Sequence, residues 1–457
     1  MSRSKFSTRR RNLERASLNR SVVTLLGAVA WVLSSAAGAT NGYFKQGYGT
    51  QNKAMGGVGM ALSLDSFAPG TNAAGIAGME SRVDGSLAYF RPERWLEAGP
   101  LQSPPGEGSF PLLPGRVNSE REDFFIPSFG FVRQIDAYRS WGITVLANGG
   151  LNTDYPAIEN PLCAENPQAP ANTGVFCGGS AGFNLDQLLI IPTYAQRFDD
   201  GRLRIGVSPI ISYQRFKAKG IAAFGAFSQA PEQLSDRGTD TAFGYGVQIG
   251  FQADVSPIVS VGANYRSRIR SDDLDDYRGL LVDAGSLDIP ETFGVGVAVE
   301  LTPWVTVAAD YERINYSGVD AIGNPFDNLL AAFPPDSDPE ALLGGRRGAG
   351  FGWRDIDIWK LGLQIEGGSG WTWRVGYNRG QNPVSSSEVL FNILAPAVVK
   401  DHYTAGFSKA LTSQSDLHVA AMATSSNSVQ GPNPLADQSI RIEMQQFALE
   451  VGYSYRF

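Results

Sequence analysis

The chain has 457 residues, 43 % of them hydrophobic, with 53 glycines and a formal net charge of −7. After the N-terminus no run of eighteen apolar residues occurs, which excludes a membrane protein built of transmembrane helices. The acidic balance excludes a nucleic-acid binder, and the slightly negative mean hydropathy fits strands that are apolar only on alternate positions, since half of each such strand faces water.

The chain begins with Arg3, Lys5, Arg9, Arg10, Arg11, Arg15 and Arg20, continues with the apolar run Ser21 to Leu33, and reaches the small-residue cleavage pattern Ala37-Gly38-Ala39. Residues 1–39 therefore read as a secretory signal peptide. Thr8 to Leu13 also carries a twin-arginine pattern, but a barrel that inserts unfolded is not exported folded. Removing residues 1–39 takes away seven basic groups and one acid, leaving 31 basic against 44 acidic groups, a net −13. The following segment, Thr40 to Glu80, is rich in Gly and lacks sustained alternation.

Strand-like runs follow at Phe124 to Arg133, Leu188 to Phe198 and Leu203 to Tyr213, and period-two runs at Phe243 to Phe251, Val259 to Tyr265, Phe293 to Val299, Val305 to Tyr311, Trp359 to Ile365, Trp371 to Tyr377 and Tyr403 to Phe407. The last eleven residues place Phe447, Leu449, Val451, Tyr453, Tyr455 and Phe457 on one face, the pattern of a tilted strand that crosses a bilayer in about 9–11 residues. The opposite parity is mostly Gly, Ser, Gln or charged. A soluble sandwich would have long polar residues there, whereas small ones suit a lumen with room in it.

The connections alternate in length. Short ones lie at Asp136 to Ser140, Asp199 to Gly201, Ser256-Pro257, Thr302-Pro303, Gly367 to Gly370 and Thr412 to Ser415; long ones lie near 93–122, 151–183, 217–240, 271–289, 315–351, 380–398 and 425–439. Six short turns and seven long loops predict an all-β, 14-stranded antiparallel transmembrane β-barrel over residues 83–457, with the long loops outside. Fourteen strands enclose more space than wall side chains can fill, so residues 40–82 are predicted to plug the lumen.

Cys163 and Cys177 lie in a Pro-, Asn- and Gly-rich stretch of an exported chain and are expected to form a disulfide that closes a surface loop. Without a nearby His, a metal site there is not expected. Three outer loops are apolar, Gly220 to Phe227, Phe326 to Phe333 and Val389 to Leu394, and exposed apolar loops either bind something or pack together as a cap. Phe224 and Phe227, with Tyr43 and Phe44 of the leading segment, are the candidate ligand contacts. Arg215 and Lys217, beside the first apolar loop, are candidate attractors for a ligand carboxylate.

Pro127, Pro192 and Pro209 fall inside strand-like runs, where each removes a ladder donor. One of them is expected to border an opening in the wall; the alternative is a bulge or rim position without function. An outer-membrane hydrolase needs a base, and only His402 and His418 exist. Neither lies in a nucleophile signature, and Asp401 points to the strand face opposite His402. The chain therefore does not read as an enzyme.

Thr40 to Thr50, Lys53 to Gly59, Asp65 and Asn72-Ala73-Ala74-Gly75 resemble, in order and spacing, the N-terminal hatch of the FadL/OmpP1/TodX family of outer-membrane transporters. Ile289 to Gly294, Thr302-Pro303-Trp304, Trp373 to Tyr377 and Val451-Gly452-Tyr453 resemble its later hairpins, so the likeness covers the mature chain. Asp65, Asn72 and Gly75 are the hatch-motif positions. The family's hatch usually has Asn-Pro-Ala-Gly, and Ala73 in place of that proline removes a stiffening element that Pro69 partly replaces.

The resemblance implies passive uptake of long-chain fatty acids or aromatic hydrocarbons without cofactor or energy source. Ligand is caught between outer loops, moves to a pocket above the hatch and leaves sideways through the wall. It implies a monomer in the outer membrane of a Gram-negative cell, inserted by the barrel-assembly machinery, with outer-membrane lipid and lipopolysaccharide as surroundings and a hydrophobic small molecule as ligand. The competing readings are a structural or adhesin-type barrel without transport and, behind it, the hydrolase.

Overall fold

The computed structural model describes residues 41–105, 109–165, 170–334 and 336–457, so the predicted signal segment lies outside the described residues. The wall strands are β1 Arg82–Ala98, β2 Phe124–Gln134, β3 Arg139–Asn152, β4 Gly182–Phe198, β5 Leu203–Lys219, β6 Asp240–Ser256 and β7 Val259–Arg266. They continue with β8 Thr292–Thr302, β9 Val305–Ile314, β10 Ile356–Glu366, β11 Trp371–Gly380, β12 Asp401–Ala410, β13 Ser415–Thr424 and β14 Ser439–Arg456.

These fourteen strands form one closed antiparallel barrel. β14 meets β1 from Arg82↔Arg456 to Ala98↔Ile440, and β1 meets β2 from Arg82↔Val132 to Phe90↔Phe124. Closure leaves the seam no free edge, the condition for a sheet to lie in lipid. Short strands at Gly115–Asn118, Arg270–Ser271 and Asn427–Pro432 lengthen the sheet at the loop end. Several strands run 17 residues, more than a bilayer crossing needs. The first long connection therefore begins at Gly99 rather than near residue 93, because Arg94 to Ala98 stay paired with β14.

Outward positions are apolar and exposed: Val207, Val247, Ile249, Val295, Leu361, Val375 and Val451 all lie on that face. Aromatic rings join neighbouring strands there, Tyr311 with Trp359 at 4.9 Å and Tyr377 with Tyr403 at 5.4 Å, as in the aromatic girdles of outer-membrane barrels.

Residues 41–81 run inside the barrel as a short helix, α1 Thr50–Ala54, and two 3₁₀ turns, Ala68–Gly70 and Ala73–Ile76. The small inward parity makes room for this backbone rather than for open water. A Cβ on Gly262 of β7 would stand 1.8 Å from the Met60 carbonyl oxygen, and one on Gly376 of β11 would stand 2.0 Å from the Gly56 nitrogen. Polar side chains fasten what the glycines admit. Asp310 Oδ2 accepts from the Gly59 and Met60 N–H groups at 2.7 and 3.0 Å, Arg266 donates to the Gly70 carbonyl at 2.7 Å, and Arg374 donates to Gln51 Oε1 at 2.8 Å.

Candidate functional site

The apolar loops turn inward over the lumen and line an apolar pocket with Phe176, Phe183, Ile221, Phe224, Phe351 and Phe391, among others. Phe224 is the hub of this outer pocket: its ring lies 4.6 Å from Phe110, 5.5 Å from Phe176 and 5.9 Å from Phe391. The loops thus pack on one another as a cap, and the same residues line the pocket beneath it. The Cys163–Cys177 disulfide is formed, with both cysteines buried, and it anchors the segment that carries Phe176.

A second, smaller cavity lies against the first and shares Phe183, Leu281 and Phe351 with it. Its remaining lining includes Leu185, Phe216, Trp353 and the hatch residue Tyr43. Tyr43 packs 5.4 Å from Tyr316 and 5.9 Å from Trp353. Its N–H donates to the Tyr316 hydroxyl at 3.2 Å, and that hydroxyl donates to the Asn41 carbonyl at 2.6 Å. The hatch tip is therefore the floor of the apolar space.

Of the predicted ligand contacts, Tyr43 lines the inner cavity and Phe224 the outer one. Phe44 is buried beside Tyr316 at 5.9 Å. Phe227 sits one ring further out, 6.2 Å from Phe224 and 5.6 Å from Phe333. Arg215 and Lys217 are placed differently from the sequence expectation. On β5 the inward positions are Ser212, Gln214, Phe216 and Ala218, all buried, so the two cations project from the outer face in line with Ile205 and Val207. Neighbourhood along the chain put them beside the pocket; strand alternation puts the wall between them and it.

The hatch-motif residues act as fasteners. Asn72 Oδ1 accepts from the Ala74 N–H at 2.9 Å, while its Nδ2 donates to the Met60 and Phe251 carbonyls at 2.7 and 3.0 Å. Asp65 accepts from the Phe67 N–H at 2.9 Å and from Gln51 at 3.4 Å. A Cβ on Gly75 would stand 2.4 Å from Ser63 Oγ. Ala73, where the family usually has proline, uses the donor a proline lacks: its N–H reaches Asn264 Oδ1 at 3.2 Å.

The three prolines mark two interruptions of the wall. Between β2 and β3 the ladder runs only from Gln134↔Ser140 to Phe129↔Val145, which leaves residues 124–128, including Pro127, unpaired on that side. The edge of β3 beyond this point is met by the hatch: Lys45 N–H donates to the Asn148 carbonyl and Gly150 N–H to the Tyr43 carbonyl, each at 3.0 Å. Side chains close the break, since Phe90, Phe124, Ile126, Ala147 and Met422 form one apolar cluster with Leu188 against it. Just inside, a third, small pocket is lined by Lys45, Gln46 and Lys53 of the hatch and by wall residues including Phe90 and Ile126. The second interruption, between β4 and β5, holds both Pro192 and Pro209 and is bridged inside by Thr193 and Ser208, whose hydroxyls lie 2.8 Å apart.

The two histidines are wall residues. His418 is held between Ser408 and Ser454, at 2.7 and 2.8 Å from its two ring nitrogens, and His402 is fully buried. Ser408 also accepts from Arg374 at 2.5 Å, which in turn holds the hatch; the cluster is part of the hatch fastening.

Solved structures share this architecture. The toluene transporter TodX of Pseudomonas putida is 17 % identical over 90 % of this chain and 99 % of its own, with a TM-score of 0.64. The toluene transporter TbuX of Ralstonia pickettii is 17 % identical over 90 % and 99 %, at 0.60, and a Pseudomonas aeruginosa FadL homologue is 14 % identical over 91 % and 100 %, at 0.63. The chain has the fold of these channels. No family model matches the sequence, and no curated protein matches it.

Sequence reasoning missed several residues of the site. Tyr316, Phe351 and Trp353 come from a long connection, and their signal was the alternation of Gly350, Phe351, Gly352 and Trp353, a glycine-spaced aromatic pair in a segment set aside as loop. Lys45 and Gln46 carried no signal, because their importance depends on which wall strands stop pairing beside them.

Proposed function

We propose that this protein is an outer-membrane channel for passive uptake of small hydrophobic molecules, with residues 1–39 as signal peptide, 40–82 as hatch and 83–457 as barrel. The observation that carries the reading is the series of apolar cavities: an outer pocket among the loops, an adjoining one floored by Tyr43, and a third beside the wall break at Pro127. A hydrophobic solute gains roughly 25 cal/mol for each Å² of apolar surface it removes from water, which supplies capture without an energy source. Release sideways into the bilayer keeps that gain, whereas descent into the aqueous periplasm would forfeit it. The neighbours described as toluene transporters and as a FadL homologue support the same reading.

Pro127 is the exit position in this scheme, because its break adjoins a cavity. Pro192 and Pro209 are rim features, since hydroxyls bridge theirs. Arg215 and Lys217, outward and above the apolar belt, face the phosphates of lipopolysaccharide. In this scheme the protein acts as a monomer inserted by the barrel-assembly machinery.

The test is uptake of a radiolabelled hydrophobic compound by a Gram-negative host that lacks its own channel. Cells carrying this protein should accumulate palmitate or toluene faster than cells carrying the empty vector. Equal rates would leave only a structural barrel.

A further inference from the structure

On the outer side of the wall, at the end that carries the long connections, an open groove is lined by Arg354, Asp357, Trp359, Arg379, Asn382 and Lys400, among others. It sits where β10, β11 and β12 meet those connections, and its backbone is fixed. Gly380 N–H donates to the Lys400 carbonyl at 2.9 Å, Gln381 N–H to the Asp357 carbonyl at 3.0 Å and Arg354 N–H to the Pro383 carbonyl at 3.2 Å. Trp359 stands across the ladder from Arg379, and Arg379 across from Asp401. The groove therefore opens on the same face as the exposed Leu361, Val375 and Tyr403, just above the aromatic girdle.

The carboxylates at this level are committed. Asp357 accepts from Arg313 at 3.0 Å and from the Tyr311 hydroxyl at 2.7 Å, while Asp401 accepts from Arg379 at 3.3 Å and from the Tyr377 hydroxyl. Asp355 accepts from Arg313 at 3.1 Å and from the Ser317 N–H at 3.0 Å. Arg354 and Lys400 enter no ion pair among the described residues. Arg354 Nε donates to the Asn382 carbonyl at 3.1 Å, which seats the guanidinium at the groove. Outward cations on other strands do find acids, Arg91 with Glu122 and Arg441 with Glu443. In an acidic chain this groove is thus a local reversal of sign, with an apolar strip directly below it.

Cations at a membrane surface attract anionic head groups, and a guanidinium matches the geometry of a phosphate through parallel N–H bonds. A free phosphate would use the cations and leave Trp359 and Leu361 uncovered. An amphipathic phosphate answers both. With the long loops outside, the leaflet at this level presents lipopolysaccharide, whose lipid moiety carries sugar phosphates immediately above its acyl chains. We infer that Arg354, Lys400 and Arg379 form a binding site for a sugar phosphate of lipopolysaccharide, with acyl chains laid along Trp359, Leu361 and Tyr403. This rests on the outer-membrane placement of the proposed function and is independent of its cargo.

The experiment measures binding of bisphosphorylated lipid A, and of the same lipid A stripped of its phosphates, to the purified full-length barrel in detergent without divalent cations. The wild type should hold the phosphorylated form about 10- to 100-fold more tightly, the range expected of charge-assisted hydrogen bonds. The double variant Arg354→Gln, Lys400→Gln should lose that preference, and Arg354→Lys with Lys400→Arg should retain it. Neither side chain is buried, so the variants should fold, and their melting temperatures check that; if the double variant does not, the two single variants, each expected to lose part of the preference, take its place. Phosphatidylglycerol and inorganic phosphate should each bind about 10-fold more weakly than lipid A, or weaker still. Equal affinity of the wild type for both forms of lipid A, persistence of the preference in the double variant, or phosphatidylglycerol or inorganic phosphate bound as tightly as lipid A would overturn the inference while leaving uptake intact. Toluene uptake by cells carrying the double variant should match the wild type. No uptake by cells carrying the wild type would overturn the uptake reading alone, because the binding comparison involves no cargo.

Discussion

Pro192 and Pro209 stand opposite each other on neighbouring strands, in the interval where the ladder stops between Ile190↔Ile211 and Tyr194↔Val207. Neither has an N–H to give, so two missing donors coincide in one place. The inner side is nevertheless held by Thr193 and Ser208. Pro127 differs because β3 has stopped pairing with β2 beside it, while β1 still pairs through Leu87↔Pro127. We expect Pro127→Ala to lower uptake several-fold and the double replacement Pro192→Ala, Pro209→Ala to leave it unchanged, as measured in whole cells. The reverse pattern would relocate the exit.

Asn72 holds the hatch through bonds to Met60, Phe251 and Ala74. Asn72→Ala should cost about 1–3 kcal/mol, since buried groups are left unsatisfied on both hatch and wall. The loosened hatch should raise ion conductance in planar bilayers, and conductance equal to wild type would show that the hatch is held elsewhere.

Ala73→Pro would restore the family's usual residue yet remove the donor that reaches Asn264. The loss of one hydrogen bond costs about 1 kcal/mol, and a proline whose φ is already compatible returns about 0.4–1 kcal/mol through the unfolded chain. A melting temperature within a few degrees of wild type is expected, whereas Gly262→Val, whose added carbon collides with the Met60 carbonyl, should expel the hatch and increase conductance sharply.

Burial and the nearby Asp84 push the Asp65 carboxyl from 3.8 up to about 7. A group whose folded value is raised binds its proton more tightly when docked, so its contribution is full below pH 3.8 and is lost as pH rises through about 7. Hatch docking should therefore weaken from acid toward neutral pH, read as rising protease sensitivity of residues 41–81. Asp65→Asn should flatten that dependence; an unchanged slope would assign it to another group.

Cys163→Ser with Cys177→Ser should release the segment that carries Phe176. Closing a loop of this length contributes about 2–4 kcal/mol in the chain-entropy account. The double variant should melt lower and bind ligand several-fold more weakly, by fluorescence titration, with the barrel still inserted. Ligand affinity equal to wild type would show that Phe176 needs no anchor.

Alternation and turn spacing made the wall legible: the runs ending at Tyr377 and Phe407 lie within observed strands, and the one ending at Phe457 passes the end of its strand by a single residue, because in lipid every second residue must be apolar and every backbone group paired. The same rule limited what could be read of the site. Arg215 and Lys217 follow the local chain toward an apolar loop, yet lie outside the barrel because alternation outranks proximity. Tyr43 of the hatch meets Tyr316 and Trp353 from the two ends of one long connection, and no local pattern encodes that meeting.

By itself the sequence determined an oily-outside cylinder, its strand number and the glycine-rich segment that fills it, since each depends on short-range periodicity and on volume. Only the tertiary structure decided where the wall stops pairing, which loop aromatics converge, and that the hatch backbone at Lys45 meets β3 at that place. Those depend on contacts between residues hundreds of positions apart, where packing and desolvation rather than local preference set the outcome.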